Sequence, residues 1–144
     1  MTWGGDVLEA TGQHSLALDL TNASGTTCHI FGYPGISFMD AAGKPLPFVY
    51  QHTDQMVTSR APQNVNLPAG STAYVLINQY RCDLGDLDVA ATLRFIPPNT
   101  TSPIVLSLTP LRGAPQLSYC GQDDPGSLVA VSPVEPTAQE TLAH

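Results

Sequence analysis

Basic residues are scarce in this sequence. Five Lys and Arg stand against twelve Asp and Glu, for a net charge of −7. The five, Lys44, Arg60, Arg81, Arg94 and Arg112, are scattered singly. A nucleic-acid binder needs a basic stripe to neutralise phosphates, so no nucleic-acid partner is expected. Attraction to an anionic membrane surface is disfavoured for the same reason. No apolar run approaches the roughly 18 residues of a membrane-spanning helix, so no transmembrane segment is expected in this chain. The four histidines, His14, His29, His52 and His144, fall in neither His-x-His nor His-Glu-x-x-His spacing, and no metal or other cofactor is expected. A Gly-x-Ser-x-Gly elbow, a phosphate-binding glycine loop and a dinucleotide fingerprint are all missing. The opening "MTWGGDVLEATG" has neither the basic n-region nor the apolar h-region of a signal peptide. The chain is therefore expected either to stay inside the cell or to be what remains once an export signal is gone.

What is present is apolar and turn-rich. Charged residues make up 12% of the chain and hydrophobic ones 42%. Disorder needs low hydrophobicity together with high charge, so this composition predicts a folded chain. A length of 144 residues is that of one domain with a sizeable core. Thirteen prolines and twelve glycines supply frequent turn signals.

Apolar residues recur with a period of two, not 3.6. In residues 15–22 Leu16, Leu18 and Leu20 alternate with Ala17, Asp19 and Thr21, which predicts a half-buried strand. Ile36 and Phe38 alternate up to an Asp40-Ala-Ala-Gly43 turn, and a hairpin is expected to return from Pro45 to Tyr50. Residues 64–78 read as strand, Pro-Ala-Gly turn, strand. Alternation of Val89, Ala91, Leu93 and Phe95, then of Ile104, Leu106 and Leu108, predicts two more strands, and residues 127–134 a last one. About seven to nine short strands with this spacing make an all-β sandwich or barrel. Gly85 argues against the single helical candidate, residues 82–90. One domain is expected over residues 1–134, followed by a polar, flexible tail over 135–144.

Several stretches together resemble a known family. They are "LALDLTNASGTTCHIFGYPGISFMDAAGKPL" (16–46), "VNLPAGSTAYVLI" (65–77), the Cys82 segment running into "LRFIPP", and "YCGQDDPGSLVAVSPV" (119–134). Their order resembles the domain of unknown function 4232, found in exported and lipid-anchored actinobacterial proteins. The resemblance spans roughly residues 7–134. It implies an antiparallel β-sandwich of immunoglobulin-like type, a location outside the cytoplasmic membrane and no known catalytic activity; it supplies no active-site residues. Members often carry a further cysteine near the N-terminus, and "MTWGGDV" has none. The antibody-type pattern is missing too: Trp3 precedes both Cys82 and Cys120, and Tyr119 sits one residue before Cys120.

Cys28, Cys82 and Cys120 allow three single bridges. Cys82–Cys120 is favoured, tying the end of one strand to the approach of the last, with Cys28 unpaired. A catalytic Cys28–His29 pair is disfavoured, because neighbours on a strand point to opposite faces. In "GYPG", Gly32 and Gly35 permit unusual backbone angles and Pro34 keeps Tyr33 extended, so this stretch reads as a scaffold corner, with a ligand platform at Tyr33 as the alternative. Asp83, Asp86 and Asp88, with Asp123 and Asp124, are acidic loops that could converge on Ca²⁺ or act as hydrolytic carboxylates. Tyr50, His52, Tyr80 and Arg81 are the expected partner-binding surface. Asn22-Ala-Ser24 and Asn99-Thr-Thr101 are formal glycosylation sequons without meaning in a bacterial protein. The leading expectation is a non-enzymatic cell-envelope binding or structural module, secreted or membrane-anchored, whose partner is an envelope protein or a glycan. The alternatives are a carboxylate-based hydrolase and an accessory domain of a larger exported protein.

Overall fold

The computed structural model describes residues 2–3, 13–80, 82, 88–98, 100–108 and 117–143. The fold is all-β. In chain order the strands are β1 (Thr2–Trp3), β2 (Gln13–Thr21), β3 (Cys28–Ile30), β4 (Gly35–Met39), β5 (Val49–Gln51), β6 (Val65–Leu67), β7 (Thr72–Tyr80), β8 (Asp88–Val89), β9 (Thr92–Ile96), β10 (Ile104–Ser107), β11 (Ser118–Tyr119) and β12 (Leu128–Val131). Two single-turn 3-10 helices, Pro125–Ser127 and Gln139–Thr141, are the only helical elements among the described residues. None is long and apolar enough to cross a membrane. Of the helical candidate, residues 83–87 lie outside the described residues, and Asp88–Val89 is strand.

Four sheets share one core. The largest runs β1-β2-β7-β12-β5, the second β10-β9-β4, and two pairs, β3-β6 and β8-β11, complete the set. Leu16, Leu18 and Leu20 of β2 are buried as the alternation predicts, facing Phe38, Leu93 and Phe95 of the second sheet within one cluster. Phe38 and Phe48 meet edge-on with ring centroids 5.7 Å apart, and Phe48 meets Tyr119 the same way at 5.5 Å. Edge-to-face contact brings the positive rim of one ring to the negative face of the other, adding to area burial.

The expectation of purely antiparallel pairing is corrected. β12 pairs with β7 antiparallel but with β5 parallel. The cause lies in the hairpin. Asp40 Oδ1 accepts the N–H groups of Ala42 and Lys44, each at 2.9 Å, and Gly43 adopts φ +81°. The return strand is held only by the Met39–Pro45 bridge and the Leu46 N–H donating to Phe38 O. Pro45 and Pro47 have no N–H with which to extend a ladder. The chain leaves β4 there and crosses to the far sheet, where Val49 aligns with Leu128. The strand pattern expected through residues 88–96 also breaks. Ala90 is buried and Val89 is 46% exposed, because Ala90 donates to Leu117 O and Ala91 to Met39 O, shifting the phase before β9.

Strand β7 is buried on both faces. Val75 and Ile77 point into the main core, while Leu76 packs outward with Val57, Ala130 and Leu142. Residues 135–143 were expected to be a flexible tail; they instead lie along this outer face. Glu135 exchanges backbone hydrogen bonds with Tyr74, Thr58 N–H donates to Thr141 O, and Ala143 N–H donates to Met56 O. Leu142, bridged to Val57, is the apolar anchor that the polar composition conceals.

Candidate functional site

The bridge corner is tightly built. Cys82 and Cys120 form a disulfide, Cα atoms 5.8 Å apart, just beyond the end of β7 and before β12. Gly126 lies against it: a Cβ there would sit 2.5 Å from Cys120 Sγ and 2.9 Å from Cys82 Sγ. Gln79, 2% exposed, donates through Nε2 to Ser118 O (2.6 Å) and Gly126 O (2.7 Å). Asp124 caps the 3-10 turn, its Oδ1 accepting Gly126 N–H at 2.9 Å. These bonds satisfy carbonyls that burial would otherwise strand, at a cost of about 1–3 kcal/mol each.

The two sulfurs and the Asp124 carboxylate lie within 4.8 Å of one another. Both sulfurs are committed to each other as a disulfide, so this trio offers one metal ligand, not three. Of the acidic loops, Asp124 is buried and Asp123 exposed; Asp83 and Asp86 lie outside the described residues, and of Asp88 the backbone alone is described, paired with Tyr119. Asp123 and Asp124 are thus adjacent in sequence but split between solvent and a helix cap.

Of the expected surface of Tyr50, His52, Tyr80 and Arg81, the three described residues, Tyr50, His52 and Tyr80, do not form one patch. Tyr50 turns inward: Phe38 N–H donates to its Oη at 3.1 Å, and burial pushes the phenol up to about 12 against that bond. His52 is exposed at the β5 exit, stacked on Tyr33 with centroids 3.6 Å apart and planes 7° from parallel. Tyr80 ends β7, next to Leu128 when the Val129–Gln79 register is continued by one residue. Leu128 in turn aligns with Val49. Tyr80, Leu128 and Val49, 39%, 38% and 53% exposed, therefore make an apolar row on the outer face. Arg81 lies outside the described residues.

Cys28 and His29 diverge as strand neighbours must. Cys28 is half-buried, packed against the core, and His29 Nδ1 hydrogen-bonds Asn66 Oδ1 at 2.6 Å across β3 and β6. In the corner, Gly32 takes φ +112° but Gly35 does not need a left-handed angle; it lies in β4, where a Cβ would come 3.3 Å from Ile96 Cβ. The Asn22 sequon is spent on structure, since Asn22 Nδ2 donates to Thr26 O and Leu67 O, both at 2.8 Å.

A family model, the domain of unknown function DUF4232, matches residues 3–135. The chain belongs to this family. No curated protein and no solved structure matches it. The DUF4232 segment holds all three cysteines, the Gly-Tyr-Pro-Gly corner and strands β2 to β12, and it ends at Glu135. The packed residues 136–143 lie beyond it. Two features of this DUF4232 chain escape sequence reasoning. The Tyr33–His52 stack joins residues from separate segments. Glu135, fully buried with no hydrogen-bond partner for Oε1, sits in a stretch that reads as polar tail.

Proposed function

We propose that this chain is a non-enzymatic module of a bacterial cell envelope, working outside the cytoplasmic membrane as a bridge-locked scaffold. The observation that carries this reading is the Cys82–Cys120 disulfide, with Cys120 buried and Gly126 fitted against the sulfurs. Disulfides of this structural kind persist in oxidising compartments and are rare in reducing ones. The sharing of one core by the five-stranded and three-stranded sheets supports an immunoglobulin-like sandwich. The partner is an envelope protein or a glycan. The surfaces offered to it are the Tyr80–Leu128–Val49 row and the Tyr33–His52 stack. Aromatic residues of this kind are enriched at binding surfaces.

The test is fractionation of the native cells. Recovery of the protein outside the cytoplasmic membrane, removable by protease added to intact cells, is the expected result. Its recovery only in the cytosol, protected until lysis, would overturn the proposal.

A further inference from the structure

Residues 135–143 pack on the outer face of the large sheet at Tyr74, Leu76 and Ala130, and among them is a buried carboxyl group. Glu135 is 0% exposed. Gln63 Nε2 donates to its Oε2, and its Oε1 has no hydrogen-bond partner. A carboxylate removed from water with one oxygen unpaired is disfavoured strongly; the neutral acid is not. The groups around it do not supply a direct ionic partner. From the 60–63 segment come Arg60, whose Nη1 pairs with Glu140 Oε1 at 3.3 Å, and Gln63. From the covering segment itself come Glu140 and Thr137, hydrogen-bonded to each other at 2.8 Å. From the sheet come Tyr74, bridged to Glu135 through the backbone, and Asp19 opposite Tyr74 on β2. Arg60 is thus the one cation of the group and is engaged with Glu140, which is held below the ordinary carboxylate range by Thr137 first, and by Gln63 and Arg60.

We propose that residues 135–143 are a proton-latched strap: neutral Glu135 holds them against β7, and loss of that proton loosens them. Burial raises the affinity of Glu135 for its proton, against the pull of Gln63 and Arg60 and with the help of Glu140. The sign follows from linkage. The strap when closed keeps the proton to higher pH than when open. Closure is therefore undiminished below the ordinary carboxylate value of about 4.3, and weakens as pH rises from there through the raised value. Within that window one proton separates the two states, so the opening equilibrium grows about tenfold per pH unit. Opening lifts Leu142 from Leu76 and Ala130. It thereby uncovers part of their apolar surface, on the sheet face that also carries exposed Leu128 and Tyr80.

Amide hydrogen exchange tests this, corrected for the intrinsic pH dependence and read at pH 4.5 and 7.5. The reporters are the Thr58, Tyr74, Glu135 and Ala143 amides, which bond across the strap. The reference is the β2–β7 ladder. The expected result is a loss of protection at the reporters on going from pH 4.5 to 7.5, with the reference unchanged. In Glu135→Gln, which keeps the shape without the titration, protection should not change with pH and should exceed that of the wild type at pH 7.5. A carboxyl ¹³C titration of the wild type supplies a second reading that needs no variant, and Glu135 should titrate above the ordinary range. The latch is refuted if Glu135 titrates normally, or if Glu135→Gln keeps the wild-type pH response or has a looser strap at pH 7.5.

Discussion

Replacing Gly126 with alanine probes the bridge corner most sharply. The added Cβ would lie 2.5 Å from Cys120 Sγ, 2.9 Å from Cys82 Sγ and 3.1 Å from Cys82 Cα. None of these atoms is the end of a flexible side chain: two are joined in the disulfide and one is backbone. The turn must therefore shift, and it carries the Asp124 cap and the Gln79 contact with it. Overpacking of this kind costs about 1–3 kcal/mol, and contacts this short on rigid neighbours place the expected loss at about 3 kcal/mol. The disulfide itself closes a separation of 38 residues, for which the chain-entropy relation gives about 4 kcal/mol. The two effects should couple. With Cys82→Ala and Cys120→Ala both sulfurs are gone, and the Gly126→Ala penalty should fall to about 1 kcal/mol, leaving a coupling of about 2 kcal/mol. Urea denaturation of the four proteins, compared at similar m-values, gives the cycle. A Gly126→Ala protein within about 0.5 kcal/mol of wild type, or the same penalty with and without the bridge, would refute the reasoning.

Other positions give independent checks. Tyr50→Phe leaves the buried Phe38 N–H without its acceptor and should lower stability by about 1–2 kcal/mol in the same denaturation assay. Because the folded Tyr50 phenol is raised to about 12, its contribution is intact below the ordinary tyrosine value near 10 and is lost as pH climbs from there to about 12; ultraviolet titration should find one of the five tyrosines resisting ionisation until the fold opens. Asn22→Ala removes both carbonyl partners and the acceptor for Ser24, and a loss of about 2–3 kcal/mol is expected, whereas the exposed His52→Ala should change stability by less than about 0.5 kcal/mol. Gln79→Leu leaves Gly126 O and Ser118 O without the Gln79 amide and should cost about 2 kcal/mol, visible as a lower urea midpoint at unchanged slope.

Legibility in the sequence followed how many faces of a strand are covered. β2 has one buried face, so Leu16, Leu18 and Leu20 announce it. β7 and β12 are covered on both sides, and Val75 to Gln79 and Val129 to Val131 are buried without alternation. Their second cover is Val57 together with the strap, whose Thr, Gln and Glu residues look like solvent-exposed tail because Leu142 is its one apolar anchor in that cluster. The crossover from β4 to β5 was hidden for another reason. Pro45 and Pro47 are turn signals that say where a ladder stops, not which strand the chain joins next. That join decides that Tyr50 points inward, and β5 ends at Gln51 before exposed His52, so the expected surface could not be sorted by composition. The Cys82–Cys120 pairing was accessible because the two cysteines flank strands that the alternation already marks. The Tyr33–His52 stack and the unpaired Glu135 oxygen depend on long-range placement, for which no local pattern exists.

The central claim is a scaffold locked by one disulfide in an oxidising compartment. Thiol trapping of the protein as it comes from its own cells, with alkylation before and after reduction and readout by intact mass, tests it most directly. The account predicts one alkylated cysteine before reduction, Cys28, and three after it. Three alkylated cysteines before reduction would contradict it.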